Sequence, residues 1–99
     1  MLGEFLRIAR IANDKKIIDV AEETGISKSY LTEIEKGIKK PSDDILQKIC
    51  INYNIESHLL LTFAKYSEDA NLNYRQILLL ILEYYEYEKI NNYDSSIKK

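Results

Sequence analysis

Cysteine occurs once in this chain, at Cys50, and that scarcity removes several chemistries at the outset. A lone thiol excludes an intrachain disulfide, and without a CxxC pair there is no redox or zinc-knuckle spacing, which fits a cytoplasmic protein. No group of His, Cys, Asp and Glu has the spacing of metal ligands, so no metal and no other cofactor is expected. His58 is the only imidazole. Paired with Cys50 it would make a nucleophile and base, but Cys50 falls on an apolar helical stripe and no third group orients the pair. The chain is therefore not read as an enzyme. Proline occurs once, glycine three times and tryptophan never, which speaks against a turn-rich β-sandwich and for an all-α fold. Long apolar runs are also missing: the longest, "ILLLIL" at 77–82, is far too short to span a bilayer, and Glu4, Arg7 and Arg10 interrupt the N-terminal stretch where a signal peptide needs continuity. Neither a membrane partner nor secretion is indicated.

What the chain does contain is helical periodicity. With 99 residues it has room for one compact core. Leu2, Phe5, Ile8, Ala9 and Ala12 recur at helical spacing over 2–13, and Asn13-Asp14 is a fitting end. Ile17, Val20, Ala21 and Thr24 mark a short second helix that Gly25 stops. Ser27 opens a third that Gly37 closes, and Ser42 with Asp43-Asp44 opens a fourth carrying Ile45, Leu46, Ile49, Cys50 and Tyr53. Asn54 ends that one, Ser57 opens a fifth, and a last helix of roughly 70–89 leads into the polar tail "NNYDSSIKK", expected to fray.

The third segment, "SKSYLTEIEKG" at 27–37, sorts into two faces at about 100° per residue. Tyr30, Leu31 and Ile34 share one side; Lys28, Ser29, Thr32, Glu33 and Lys36 share the other. Two short helices joined by a tight turn that begins with glycine, the second with a polar outer face, form the pattern of a helix-turn-helix, whose second helix enters the major groove of DNA. Net charge is −2, so such a chain does not attract DNA by bulk charge. Its distribution does better: Lys15, Lys16, Lys28, Lys36, Lys39 and Lys40 all lie in the front half, while Glu68, Asp69, Glu83, Glu86, Glu88 and Asp94 lie in the last third.

Over residues 1 to about 61 the order "R…VAEETGIS.SYL..IEKG…PS…L.KI….NI" resembles the XRE family of helix-turn-helix regulators, which includes the lambda repressor and Cro type, and helix 3 is most similar to the SinR-like version. The resemblance implies a five-helix lambda-repressor-like DNA-binding domain followed here by a C-terminal helix, acting on double-stranded DNA as a homodimer at a two-fold symmetric operator. It assigns base contacts to Lys28, Ser29, Thr32 and Glu33: lysine donates to guanine O6 and N7, the hydroxyls donate or accept, the threonine methyl touches thymine, and the carboxylate accepts from cytosine N4. It assigns phosphate contacts to Lys36, Lys39, Lys40, the Gly37 amide and Ser42. Many members carry a phosphate-binding glutamine at the start of helix 2; this chain has Ile17 there, so Lys15 or Lys16 takes that contact. Arg10 and Glu35 come at the family's spacing and are read as a structural ion pair, since a carboxylate at the edge of an apolar face is costly without a cation.

The last third supplies the second expectation. Ile77, Leu78, Ile81, Leu82 and Tyr85 form one stripe, and Leu79, Leu80, Tyr84 and Tyr87 widen it around most of the helix. A helix apolar nearly all round calls for a partner surface. The chain is thus divided into a DNA-binding domain at 1–66 and a dimerisation segment with polar tail at 67–99, the five stripe residues forming the dimer seam. The function expected is a transcriptional regulator of the repressor kind. The competing reading is a protein-interaction module, or an antitoxin whose apolar helix holds a toxin or another protein antagonist.

Overall fold

The computed structural model describes the backbone from residue 2 to residue 97 and side chains from 2 to 90. Six helices and no strand occur among the described residues: α1 (Leu2–Ala12), α2 (Ile17–Thr24), α3 (Lys28–Glu35), α4 (Asp43–Asn52), α5 (Ser57–Asp69) and α6 (Tyr74–Ile97). The fold is all-α.

Most helix boundaries follow the punctuation in the sequence. Gly25 closes α2 at φ +77°, its N–H donating to the Ala21 carbonyl, and Gly37 follows α3 at φ +76°. Ser27 and Ser42 accept from the N–H groups of Tyr30 and Ile45, satisfying donors that the first helical turn leaves free. Two boundaries differ from expectation. α5 is capped by Glu56, whose carboxylate accepts from His58 and Leu59, rather than by Ser57; a carboxylate offers two acceptors to the positive end of the helix where a hydroxyl offers one oxygen. α6 begins only after Asn73 and Gln76 exchange hydrogen bonds, and it continues through Ile97 instead of stopping near 89. Lys98 and Lys99, the last residues of the tail expected to fray, lie outside the described residues.

α1 is the central element, packed against α3, α5 and α6. One core cluster runs through Phe5, Leu6, Ile8 and Ala9 of α1, Val20 of α2, Ile26 in the turn, Leu31 and Ile34 of α3, Leu46 and Ile49 of α4, and Leu60 and Ala64 of α5. Ile77 and Ile81 of α6 belong to the same cluster, each 1% exposed. This revises the seam expected in α6: Ile77 and Ile81 are buried in the chain's own core, where each fully buried side chain contributes about 1.5–3 kcal/mol, Leu78 and Tyr85 pack against it, and only Leu82 of the five is exposed. The boundary drawn at Tyr66 falls inside α5. The physical reason is that α1 is apolar on more sides than α3 and α5 can cover.

The middle of α6 is tied down by polar groups. The Tyr85 hydroxyl donates to the Tyr53 carbonyl at the end of α4, and Asn13 Nδ2 donates to the Tyr85 oxygen at 3.1 Å and to the Ala9 carbonyl at 2.7 Å. Burial pushes the Tyr85 phenol above its ordinary value, although the Asn13 hydrogen bond pulls the other way. Gly3 makes a closer approach. A Cβ there would sit 2.3 Å from the Ile34 carbonyl oxygen, so only glycine lets the start of α1 lie on the end of α3.

Candidate nucleic-acid interface

The turn between α2 and α3 is fixed from inside. Thr24 Oγ1 donates to the Val20 carbonyl and accepts from the Ile26 N–H, and Ile26 plugs the core at 6% exposure. From this anchor α3 presses Leu31 and Ile34 inward, each 2% exposed, and leaves its other side outward. Lys28 and Ser29 are exposed, and Thr32 and Glu33 are half-buried along the same outward side. Thr32 Oγ1 donates to the Lys28 carbonyl at 2.9 Å, which commits the hydroxyl proton and leaves the oxygen's two lone pairs and the methyl for a ligand.

Arg10 and Glu35 brace the same hairpin from behind. Arg10 Nε and Nη2 donate to the two Glu35 oxygens at 2.8 and 3.0 Å, and Nη1 donates to the Lys15 carbonyl at 3.0 Å. The side chains are 14% and 9% exposed. The Glu35 hydrogen bond raises the arginine's affinity for its proton against the opposing effect of burial. This two-pronged pair holds the C-terminal end of α3 to α1 and to the α1–α2 turn.

Around α3 the expected phosphate contacts divide. Lys16, Lys36, Lys39, Lys40 and Ser42 are exposed. Ser42 uses its oxygen as the α4 cap, so its O–H remains available to donate. The Gly37 amide is not available, because it already donates to the Ile34 carbonyl at 3.0 Å. Lys15 is also engaged. Its Nζ donates to Glu23 Oε1 at 3.0 Å and to the carbonyl and side-chain oxygens of Asn52 at 3.1 Å each, and Asn52 Nδ2 donates to the same Glu23 oxygen at 3.0 Å. Hydrogen bonds from Asn52 and Lys15 lower the Glu23 carboxyl below its ordinary value. Lys15 thus ties α2 to the end of α4, and of the two lysines at the start of α2 only Lys16 faces outward without such a network.

Neither the Lys15–Glu23–Asn52 network nor the close approach of Gly3 follows from the sequence pattern. A lysine, a glutamate and an asparagine separated by 8 and 29 residues carry no local signal of meeting. Cys50 is buried and its thiol pushed up to about 11 by desolvation, while His58 is exposed at the start of α5. Among the described residues no three His, Cys, Asp or Glu side chains gather as a metal site, and no helix is long and apolar enough to cross a membrane.

Between α5 and α6 lies a different surface. Leu59, Phe63, Leu80, Tyr84 and Tyr87 line an open cavity of about 420 Å³, with Glu83 and Glu88 at its edge. Phe63 meets Tyr84 edge to face at 5.7 Å. Beyond it, Leu79 and Leu82 face outward at 52% and 42% exposure.

Residues 6–60 match the family model HTH_3, described as helix-turn-helix. The chain is 38% identical over 64 residues to the transcriptional regulator ClgR of Mycobacterium tuberculosis, a match covering 65% of this chain and 57% of that protein. It is 37% identical over 57 residues to the HTH-type transcriptional regulator SlrR of Bacillus subtilis, covering 57% of this chain and 38% of that one. Against the HTH-type transcriptional regulator SinR of the same organism it is 31% identical over 62 residues, covering 62% and 56%. The chain thus matches little more than half the length of ClgR and SinR, and less of SlrR.

Proposed function

The chain belongs to the helix-turn-helix family of XRE type, and from that membership we propose that it is a sequence-specific DNA-binding transcriptional regulator. It acts in the cytoplasm as a repressor that occupies promoter DNA as a homodimer. The observation that carries this reading is the outward side of α3. Lys28, Ser29, Thr32 and Glu33 form a row of donors and acceptors on a helix anchored by Leu31 and Ile34, with exposed Lys16, Lys36, Lys39 and Lys40 around it. That is what a groove-reading helix with phosphate contacts at its flanks requires. Lysines concentrated there give an acidic protein a local attraction for phosphates. A two-fold pair sets two such helices one turn of DNA apart, about 34 Å.

Selection of bound duplexes from a random pool gives the operator and tests the reading. At the selected site, Lys28→Ala or Thr32→Ala should cost about 1–3 kcal/mol, with much less change on random DNA. Equal losses on both would remove α3 as the reading element.

The apolar groove between α5 and α6 favours a second reading, in which the chain is an interaction module or antitoxin and the groove takes a helix of another protein. An electrophoretic shift on the gene's own promoter, absent for the interaction module, separates the two.

A further inference from the structure

α6 carries two apolar faces, and only one is covered. Ile77 and Ile81 point into the core, whereas Arg75, Leu79, Leu82 and Glu86 make a second stripe, all four side chains exposed. This stripe lies roughly 150° around the helix from the buried one. Its spacing of four, three and four residues is that of a helix that packs along another helix at a shallow angle. Among the described residues neither Arg75 nor Glu86 has an ion-pair partner within the chain.

We propose that a second copy of this chain pairs with α6 antiparallel along this stripe, so that Leu79 meets the partner's Leu82 and Arg75 meets the partner's Glu86. The inference rests on the homodimer reading above and supplies its surface. The order of charges selects the arrangement. Arg75 lies as far before Leu79 as Glu86 lies beyond Leu82, so a two-fold axis between residues 80 and 81 brings opposite charges together at both ends and leucines together in the middle. A parallel pair would set arginine on arginine and glutamate on glutamate. Exposed charge pairs add little affinity, but like charges in the wrong arrangement are penalised, so the pairs fix direction and register while the four leucines supply the burial. A second copy is also the one occupant guaranteed to carry the complementary charge order.

Sedimentation equilibrium of the full chain tests this. Arg75→Glu and Glu86→Arg should each weaken self-association by about tenfold or more, because each brings like charges together at both ends of the stripe. An equimolar mixture of the two variants should recover the original association, because one chain then carries only acidic ends and the other only basic ones. Leu79→Asp should leave the chain monomeric. All these positions are exposed, so thermal melting of the monomers should stay close to that of the parent chain. A mixture no stronger than the separate variants overturns the register. Association that survives Leu79→Asp but is lost with Leu80→Asp moves the interface to the α5–α6 groove and overturns the proposal. A chain that stays monomeric yet shifts DNA also overturns it, whereas a chain that pairs in this register but binds no DNA refutes the DNA reading alone.

Discussion

α3 and α6 are both two-sided, yet opposite in what they leave outward. α3 has eight residues, a serine cap, a glycine just past its end and a polar outer row. α6 has twenty-four residues, and its outer stripe still shows Leu79 and Leu82 to solvent after Ile77 and Ile81 have gone into the core. An outward row of hydrogen-bonding groups suits a wet, charged ligand. An outward row of leucines gains nothing from water and gains about 25 cal/mol for each Å² covered by an apolar partner. The contrast shows that a small domain can be saturated on one side and unfinished on another.

The largest effect expected is on what holds α3 in place. Arg10→Met leaves Glu35 buried without its cation and should destabilise the fold by about 3–5 kcal/mol in urea denaturation. Adding Glu35→Leu should recover much of that loss. A double variant no more stable than Arg10→Met would mean that the pair does not brace α3.

The two faces of α6 come next. Ile81→Ala opens a cavity against α1 and should cost about 2–5 kcal/mol, whereas Leu79→Ala in the dilute, monomeric protein should change stability by no more than about 0.5 kcal/mol. Equal costs would mean that α6 does not divide into a covered face and a free one. By the same logic a chain cut after Tyr66 should not retain the stability of the whole domain, since it lacks Ile77, Ile81 and the Tyr85 tie.

A smaller effect separates the exposed lysines around α3, proposed as phosphate contacts, from Lys15, which is held within the fold. Lys39→Ala should lower the slope of log affinity against log salt by about 0.9. Lys15→Met should leave that slope unchanged while lowering the melting temperature. A reduced slope for Lys15→Met would return that side chain to the phosphate contacts.

Smallest is the pH response of the Lys15–Glu23–Asn52 brace. The Glu23 carboxyl binds its proton less readily in the folded chain than its ordinary value of 4.5. Its contribution is therefore present above that value and is lost as pH falls through the lower, folded one. Melting temperatures of the parent chain and Glu23→Gln should converge as the pH is lowered. A difference that persists unchanged to acid pH would deny Glu23 this role.

The hairpin was legible in the sequence because its signals are local. Gly25, Ser27, Gly37 and Ser42 each act on amides within a few residues, and the inward positions of α2 and α3 follow helical spacing. The use of α6 was not. Its pattern showed that it is apolar on several sides, but which side α1 claims depends on how much of α1 the other helices leave bare. The place of Lys15 was hidden for a related reason: a lysine before a helix resembles a free cation until the end of α4 arrives to accept its hydrogen bonds. The Gly37 amide looked available because the sequence does not reveal that the bend after α3 turns it back onto Ile34.

The bond between Asn13 and Tyr85 spans 72 residues, and that span sets a sequence of events at the ribosome. At roughly 5–20 residues per second, α1 emerges seconds before the helix that covers its last apolar side, and closing so long a loop is the slow kind of contact. The helix-turn-helix and its backing against α1 are therefore synthesised early, whereas the remaining side of α1 is covered only when the chain has been made past Ile81. A nascent chain stalled before that point leaves bare the side of α1 that α6 covers in the finished fold.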